Sequence, residues 1–421
     1  MKVFKFGGGV IKDAESIRRM TDIVRDSPIN QGRIGLEDSG LLVVVSAFGK
    51  MTNSFEDLLI AANNDMLGSK LDEILDFHND IASQLLKESL GLWKKECSSL
   101  IEKIKKTLVE VKDYPRDKGY DQLVAYGELF STTLISVYWN QEGLSHRFLD
   151  SRELIRTDDN YCEAKVNWEE TGKQVRPFQE SLLLVQGFIG GSDDGFTTTL
   201  GREGSDYSAA IFGNLLNAQE VVIWKDVSGV LTADPSEFPD ACKMDEISYL
   251  EAVELTYFGA KVIHPNTIKP LQNKGIALIV KSLYDPNASG TVILNKTGEY
   301  CDKPIVIKKR NQVLVSIQPR DFSFIVEESM AKIFDVLSRN RTRINLMQHG
   351  AVSISLVFDW NQKRLDAILG ELLPEFKVLY NTGLELLTIR HYSDTAIREL
   401  TKGKQIYVQQ QSRKTARFVL G

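Results

Sequence analysis

Apolar positions along the first half of the chain alternate between two rhythms. Residues 2–6 alternate, Gly7-Gly8-Gly9 interrupts, and Ile17, Met20, Ile23 and Val24 follow at helical spacing within 13–25; the pattern predicts strand, glycine turn and helix. After a polar stretch at 27–40, expected to be a surface loop, residues 41–45 (LLVVV) form the unbroken aliphatic run of a parallel strand buried on both faces. That strand ends in the hydroxyl-bearing loop 46–53, where open α/β sheets bind ligands. Helical spacing then dominates 55–111, predicting two or three helices, and a further helix is expected over 120–139. Strands are predicted at 145–149, 182–186, 220–224 and 276–281, and helices at 249–258 and 265–273, the second with Pro265 at a permitted first position.

The stretch 197–206, TTTLGREGSD, carries three β-branched residues, a glycine turn, and Ser205 as the predicted N-cap of a helix over 205–216. Such a junction offers unpaired N–H groups and a dipole end to an anion, though it also suits a plain turn between strand and core helix.

From Pro304 the rhythm shortens. Strands at 305–308 and 313–317, a helix at 330–338, strands at 344–347 and 351–358, a helix at 365–373 and strands at 378–380 and 384–391 give a ferredoxin-like order. A shorter echo follows at 384–391, 394–400, 406–411 and 416–420 and stops before a second helix. The expected architecture is therefore α/β: a three-layer αβα sandwich with a mainly parallel sheet over 1–296, with a helical subdomain at about 54–140. Small modules follow over 297–421, one complete at about 312–383 and one abbreviated from 304–311 plus 384–421.

Composition changes this picture little. The 421 residues are 43% hydrophobic, with 51 basic against 57 acidic side chains and a net charge of −6. A mildly acidic chain argues against general nucleic-acid or membrane-surface binding. Four dispersed cysteines without CxxC spacing suggest reduced thiols, and neither a signal-peptide core nor a membrane-length apolar run is present, so a soluble, cytoplasmic protein is expected. The five histidines show no metal spacing. Lys5, in the strand before the first glycine turn, is placed to meet a phosphate on the glycine amides, or equally is a surface strand lysine. Glu128 is a carboxylate among apolar neighbours, a position that an exposed helical glutamate also takes.

Seven segments in register resemble the aspartate kinase (aspartokinase) family: KFGG at 5–8, MTN at 51–53, YGEL at 126–129, QGFIG at 186–190, TTTLGREGSDYSAA at 197–210, WKDVSGVLTADP at 224–235 and FGAKVIHP at 258–265. The small modules then resemble paired ACT domains. The resemblance implies an amino-acid-kinase fold and transfer of the γ-phosphoryl group of Mg-ATP to the side-chain carboxylate of L-aspartate, giving 4-phospho-L-aspartate for lysine, threonine and methionine synthesis. It implies Lys5 and Asp206 as catalytic residues, with Asp206 also near Mg2+, which the phosphates mainly hold. It places Thr52, Glu128 and Arg202 on aspartate, and Lys5, Gly7, Gly8, Gly204, Ser205, Lys225, Asp226, Leu231, Lys261 and Val262 on the nucleotide. It further implies a lysine or threonine effector near Ile344 and Asn345, and a homodimer.

Five positions depart from the family pattern. Gly9 and Val10 stand where hydroxyl residues usually follow KFGG, Glu203 replaces a glycine, and Leu231 replaces a tyrosine. Asn345 stands where an effector-binding aspartate is usual. The alternatives are an amino-acid kinase with another acceptor (glutamate, acetylglutamate, carbamate or a nucleotide) and, suggested by Gly9, Val10 and Glu203, a nucleotide- or amino-acid-binding regulatory protein without turnover. No homoserine dehydrogenase domain is expected, the chain ending at Gly421.

Overall fold

The computed structural model describes residues 1–27, 40–62, 66–175, 178, 180–260, 263–295, 303–321 and 323–421. The loop expected at 27–40 and the domain boundary expected at 296/297 fall largely outside the described residues. Packing groups the chain into two units: Met1–Val230 with Lys243–Val253 and Val262–Tyr300, and Leu231–Cys242 with Glu254–Lys261 and Cys301–Gly421.

The first unit contains β1 (Lys2–Phe6), β2 (Leu41–Val45), β3 (Arg147–Leu149), β4 (Arg156–Thr157), β5 (Leu182–Gln186), β6 (Ile189–Ser192), β7 (Thr197–Thr199), β8 (Glu220–Lys225), β9 (Glu246–Ser248), β10 (Ala277–Ser282) and β11 (Thr291–Leu294). Its main sheet runs β3-β5-β2-β1-β8-β10-β11-β9, parallel from β3 to β10. The chain steps from β1 to β2 on one side and returns at β8 on the other, so β1 and β8 flank a switch point, where such sheets open a crevice. Leu41–Val45 is buried at every position, as its unbroken aliphatic run requires. A smaller sheet orders β4-β6-β7, with β7 at its edge.

Helices flank the main sheet. Asp13 caps Ala14–Arg25 by accepting the Ser16 N–H at 2.8 Å, while the Asp13 N–H donates to Ser16 Oγ. The helical excursion is Met51–Ala61, Leu67–Leu85 and Leu90–Glu110. The single helix expected over 120–139 is instead two, Arg116–Val124 and Tyr126–Gln141, meeting at Ala125. The second packs its start so closely on the loop after β2 that a Cβ on Gly127 would lie 2.9 Å from Ala47 Cβ.

In the C-terminal unit the strands are β12 (Ile305–Pro319), β13 (Ile344–His349), β14 (Ile354–Asp359), β15 (Phe376–Arg390), β16 (Ile406–Gln411) and β17 (Thr415–Leu420), ordered β13-β14-β12-β15-β17-β16. The separate strands expected at 305–308 and 313–317, and at 378–380 and 384–391, are each one continuous strand. Asn311 and Gly383 take positive φ, 53° and 72°, and the β12–β15 register shifts between Lys309 and Leu314 without ending either strand. Both modules thus share one antiparallel sheet. Side chains from the far end of the sheet reach β13: Arg417 of β17 donates to Asn345 O at 2.6 Å, and Gln410 of the edge strand β16 to Met347 O at 2.5 Å. Leu314, Leu346, Leu386, Val408 and Val419 form a core from strands of both halves. Two carbonyls of the β13 edge are therefore satisfied within the chain.

Candidate active site

The carboxyl ends of β5, β2, β1 and β8 surround a cavity of about 380 Å³. Lys5, Gly7, Gly8, Thr52, Glu128, Gly204, Ser205, Asp206, Lys225 and Asp226 all line it. Residues up to 221 positions apart in sequence (226 − 5) therefore meet at one place.

Lys5 Nζ lies 2.5 Å from Asp206 Oδ1, and both side chains are buried. Lys225 Nζ stands 3.9 Å from the other Asp206 oxygen. Burial pushes the Asp206 carboxyl up, but the two ammonium groups outweigh it and hold the group below the usual carboxylate range. The glycine turn leaves room for this ammonium, because a Cβ on Gly7 would sit 2.7 Å from Lys5 Nζ. At Gly8 a Cβ would meet the Ala47 and Gly49 carbonyl oxygens at 2.5 and 2.7 Å, so the two loops touch backbone to backbone there. Gly9 has open space around it.

Glu128, in the first turn of Tyr126–Gln141, is buried, and its Oε1 accepts the Ala47 N–H at 3.1 Å. Among the described residues its Oε2 has no hydrogen-bond partner. Burial pushes this carboxyl up to about 8, against the lowering effects of the Ala47 amide and the Lys5 charge. A buried carboxyl with one open oxygen is prepared for a cationic or hydrogen-bonding ligand group.

The 197–206 stretch folds as strand, turn and helix, with one correction. The helix is Gly204–Leu215, and Glu203 rather than Ser205 occupies the N-cap, without a side-chain capping bond. Glu203 takes φ 53°, in the left-handed region, because the chain must turn sharply there between Gly201 and Gly204. Its carboxylate accepts the His264 N–H at 2.9 Å, at the start of the helix Pro265–Gln272. Arg202 is not brought into the first cavity. It lines a second of about 850 Å³, with Lys165, Trp168, Tyr207 and Lys269, and Gly201 borders both.

Of the remaining expected residues, Leu231 belongs to the C-terminal unit, and Lys261 and Val262 lie outside the described residues. Ile344 and Asn345 start β13. The Asn345 side chain is buried and fully engaged: Lys309 donates to its Oδ1 at 2.9 Å, and its Nδ2 donates to Gln312 Oε1 and Asp359 Oδ1. Sequence reasoning missed Phe188 and Trp224 as cavity residues and had Ser46 only as part of the ligand-binding loop 46–53. Their signal was position, each at or just after the end of a predicted strand.

The model of the amino acid kinase family matches residues 1–282. Lysine-sensitive aspartokinase 3 of Escherichia coli (strain K12) is 33% identical over 366 residues, covering 85% of this chain and 78% of that protein. Two crystal structures of E. coli aspartokinase III superpose on the whole chain. The complex with lysine and aspartate has a TM-score of 0.82, 29% identity and 95% of its chain covered. The complex with aspartate and ADP has a TM-score of 0.81, 28% identity and 96% covered. Against the bifunctional aspartokinase/homoserine dehydrogenases of Zea mays and Daucus carota, this chain spans about a third of their length.

Proposed function

The chain belongs to the aspartokinases of the amino acid kinase family, ATP-dependent phosphotransferases, and from that premise we propose that it phosphorylates the side-chain carboxylate of L-aspartate, yielding 4-phospho-L-aspartate and ADP for lysine, threonine and methionine synthesis. The observation that carries this reading is one cavity holding both the Lys5–Asp206 pair and the open oxygen of Glu128.

Two anions must meet in this reaction, so positioning and charge neutralisation dominate. The polyphosphate lies on the amides of Gly7, Gly8 and Gly204, at the N-terminus of the helix Gly204–Leu215. Lys5, fixed by Asp206, meets the transferring phosphoryl group, and Lys225 adds positive charge beside it. Glu128 receives the substrate ammonium on Oε2, and Thr52 hydrogen-bonds the substrate. Arg202 forks onto a substrate carboxylate from its position past Gly201, which requires the turn to bring it toward the first cavity. Asp206 and Asp226, which line the cavity, would help to hold a Mg2+ ion carried mainly by phosphate oxygens. When bound, that ion screens the phosphate charge.

The E. coli structure contains lysine, but here Asn345 Oδ1 already takes an ammonium from Lys309. We expect free lysine not to bind at this oxygen, and a homodimer, if formed, to use faces other than the β13 edge.

The test is ADP release with Mg-ATP and each of aspartate, glutamate and N-acetylglutamate, with hydroxylamine trapping of the acyl phosphate. Aspartate-dependent hydroxamate supports the reading. ADP release with a different acceptor, or nucleotide binding without turnover, overturns it.

A further inference from the structure

β7 is the edge of its sheet, so the outward N–H and C=O groups of Thr197 and Thr199 need partners other than β6. The helix Arg116–Val124 supplies most of them from side chains. Gln122 takes the Thr197 N–H on Oε1 at 3.1 Å and donates its amide to Thr197 O at 2.7 Å, imitating a neighbouring strand. Asp121 accepts the Thr199 N–H at 2.8 Å and the Thr199 hydroxyl at 2.7 Å. The Thr199 carbonyl is taken by Ala164 N–H.

Asp121 also accepts the Cys162 N–H, at 3.1 and 3.0 Å to its two oxygens. Cys162 sits at φ 69°, a conformation its neighbours must hold in place. Its carbonyl lies 3.3 Å from where a Cβ on Gly201 would stand. Asp121, itself fully buried, thus grips both surroundings of Gly201: Thr199 two residues before it in sequence, and Cys162 beside it in space. Gly201 borders both cavities and precedes Arg202.

Seven residues after Asp121 stands Glu128. The helix carrying Asp121 passes into the helix carrying Glu128 through Ala125 alone, which keeps helical dihedrals of −56° and −24°. Asp121 is thus tied to Glu128 through the helix backbone on one side and bonded to Thr199 and Cys162 beside the Gly201–Asp206 turn on the other.

We propose that Asp121 is a positioning residue for the amino-acid acceptor, its bonds to Thr199 and Cys162 setting the span between Glu128 and the Arg202-bearing turn. This rests on the aspartate kinase reading for the identity of the acceptor, but not for the clamp itself. The nucleotide side of the cavity, on Gly7, Gly8 and Lys225, has no bond to Asp121.

Thr199→Val removes the hydroxyl bond while conserving shape, and Asp121→Asn disturbs all four bonds. In steady-state kinetics Thr199→Val should raise the aspartate KM about fivefold, and Asp121→Asn about tenfold or more, as expected for the loss of hydrogen bonds to a buried carboxylate. The ATP KM should stay nearly constant, and kcat should fall less than the aspartate KM rises. Thr199→Ser should restore wild-type values. Amide hydrogen exchange over 200–206 should quicken in both impaired variants. An unchanged aspartate KM in Thr199→Val overturns the proposal, as does a matching rise in both KM values or a fall in kcat alone. Should Asp121→Asn not fold, the Thr199 pair decides. If the wild type shows no aspartate turnover, the function reading falls instead; unaltered exchange over 200–206 in Thr199→Val then overturns the clamp, and faster exchange sustains it.

Discussion

Asp206 and Lys5 form the tightest charge pair in the cavity, Nζ to Oδ1 at 2.5 Å, with Lys225 a distant second partner at 3.9 Å. Deleting Lys5 would leave a buried carboxylate facing one remote cation. Lys5→Met should therefore lower kcat about 10²- to 10³-fold with little change in aspartate KM. It should also cost on the order of 3 kcal/mol of stability at neutral pH. Steady-state kinetics and urea unfolding check both. Because the folded carboxyl sits below its ordinary value, the pair's stabilisation is present above the unfolded pKa of 3.8 and lost as pH falls through the folded one. Near-normal kcat in the variant removes Lys5 from the catalytic role.

Glu128 gives the opposite pH behaviour. With its carboxyl pushed up to about 8, the free protein holds it protonated at neutral pH, while a substrate ammonium favours the carboxylate. The value of kcat/KM for aspartate should rise with pH and level off above about 8. Glu128→Gln should abolish that inflection, and Glu128→Ala should raise the aspartate KM most. The folded state keeps a proton that the unfolded chain gives up at 4.5, so this group lowers stability as pH rises from 4.5 to about 8. Over that window thermal melts should show Glu128→Gln gaining on the wild type. A flat kcat/KM profile would remove the ammonium-binding role.

Gly8 and Gly9 are adjacent, yet they should respond in opposite ways. Gly8→Ala forces a methyl against two backbone oxygens, at 2.5 and 2.7 Å, and should cost about 1–3 kcal/mol by overpacking. Gly9→Ser meets nothing within 4 Å. It should leave the melting temperature unchanged and lower the ATP KM by adding a hydroxyl to the phosphate loop. Melting curves and ATP titrations of the two variants decide.

Glu203 occupies a left-handed φ but holds the His264 amide. Glu203→Ala keeps the backbone cost and loses the bond, so it should destabilise by about 1–3 kcal/mol. Glu203→Gly loses the same bond but relieves the backbone, recovering about 0.5–1 kcal/mol. The expected order of melting temperature is wild type, then Gly, then Ala. An Ala variant as stable as the wild type would show that the His264 bond contributes nothing.

Those elements whose burial is uniform were plain from the sequence. Leu41–Val45 and Glu220–Lys225 announce themselves as aliphatic runs because both faces of each strand are covered. Residues that punctuate were misleading. Asn311 and Gly383 resemble strand ends, yet the sheet absorbs them as irregularities. β6, with sequence IGGS, carries too little β propensity to be noticed, and its glycines are required by contacts with Ile155 and Arg152 carbonyls. Within the cavity, Lys5 and Asp206 could be named because they stand in segments that resemble a known family, position alone leaving Lys5 open. Asp121 could not, since its partner Thr199 lies 78 residues away and nothing local marks the pairing. The side on which Arg202 emerges depends on the φ of the residue after it, which a glutamate at that position conceals.

The two long strands, Ile305–Pro319 and Phe376–Arg390, have a consequence for how this region can change through descent. Each serves both halves of the six-stranded sheet, so no cut between 312 and 383 yields two self-sufficient pieces. Recombination with a relative must exchange both strands together or leave one half without a pairing edge.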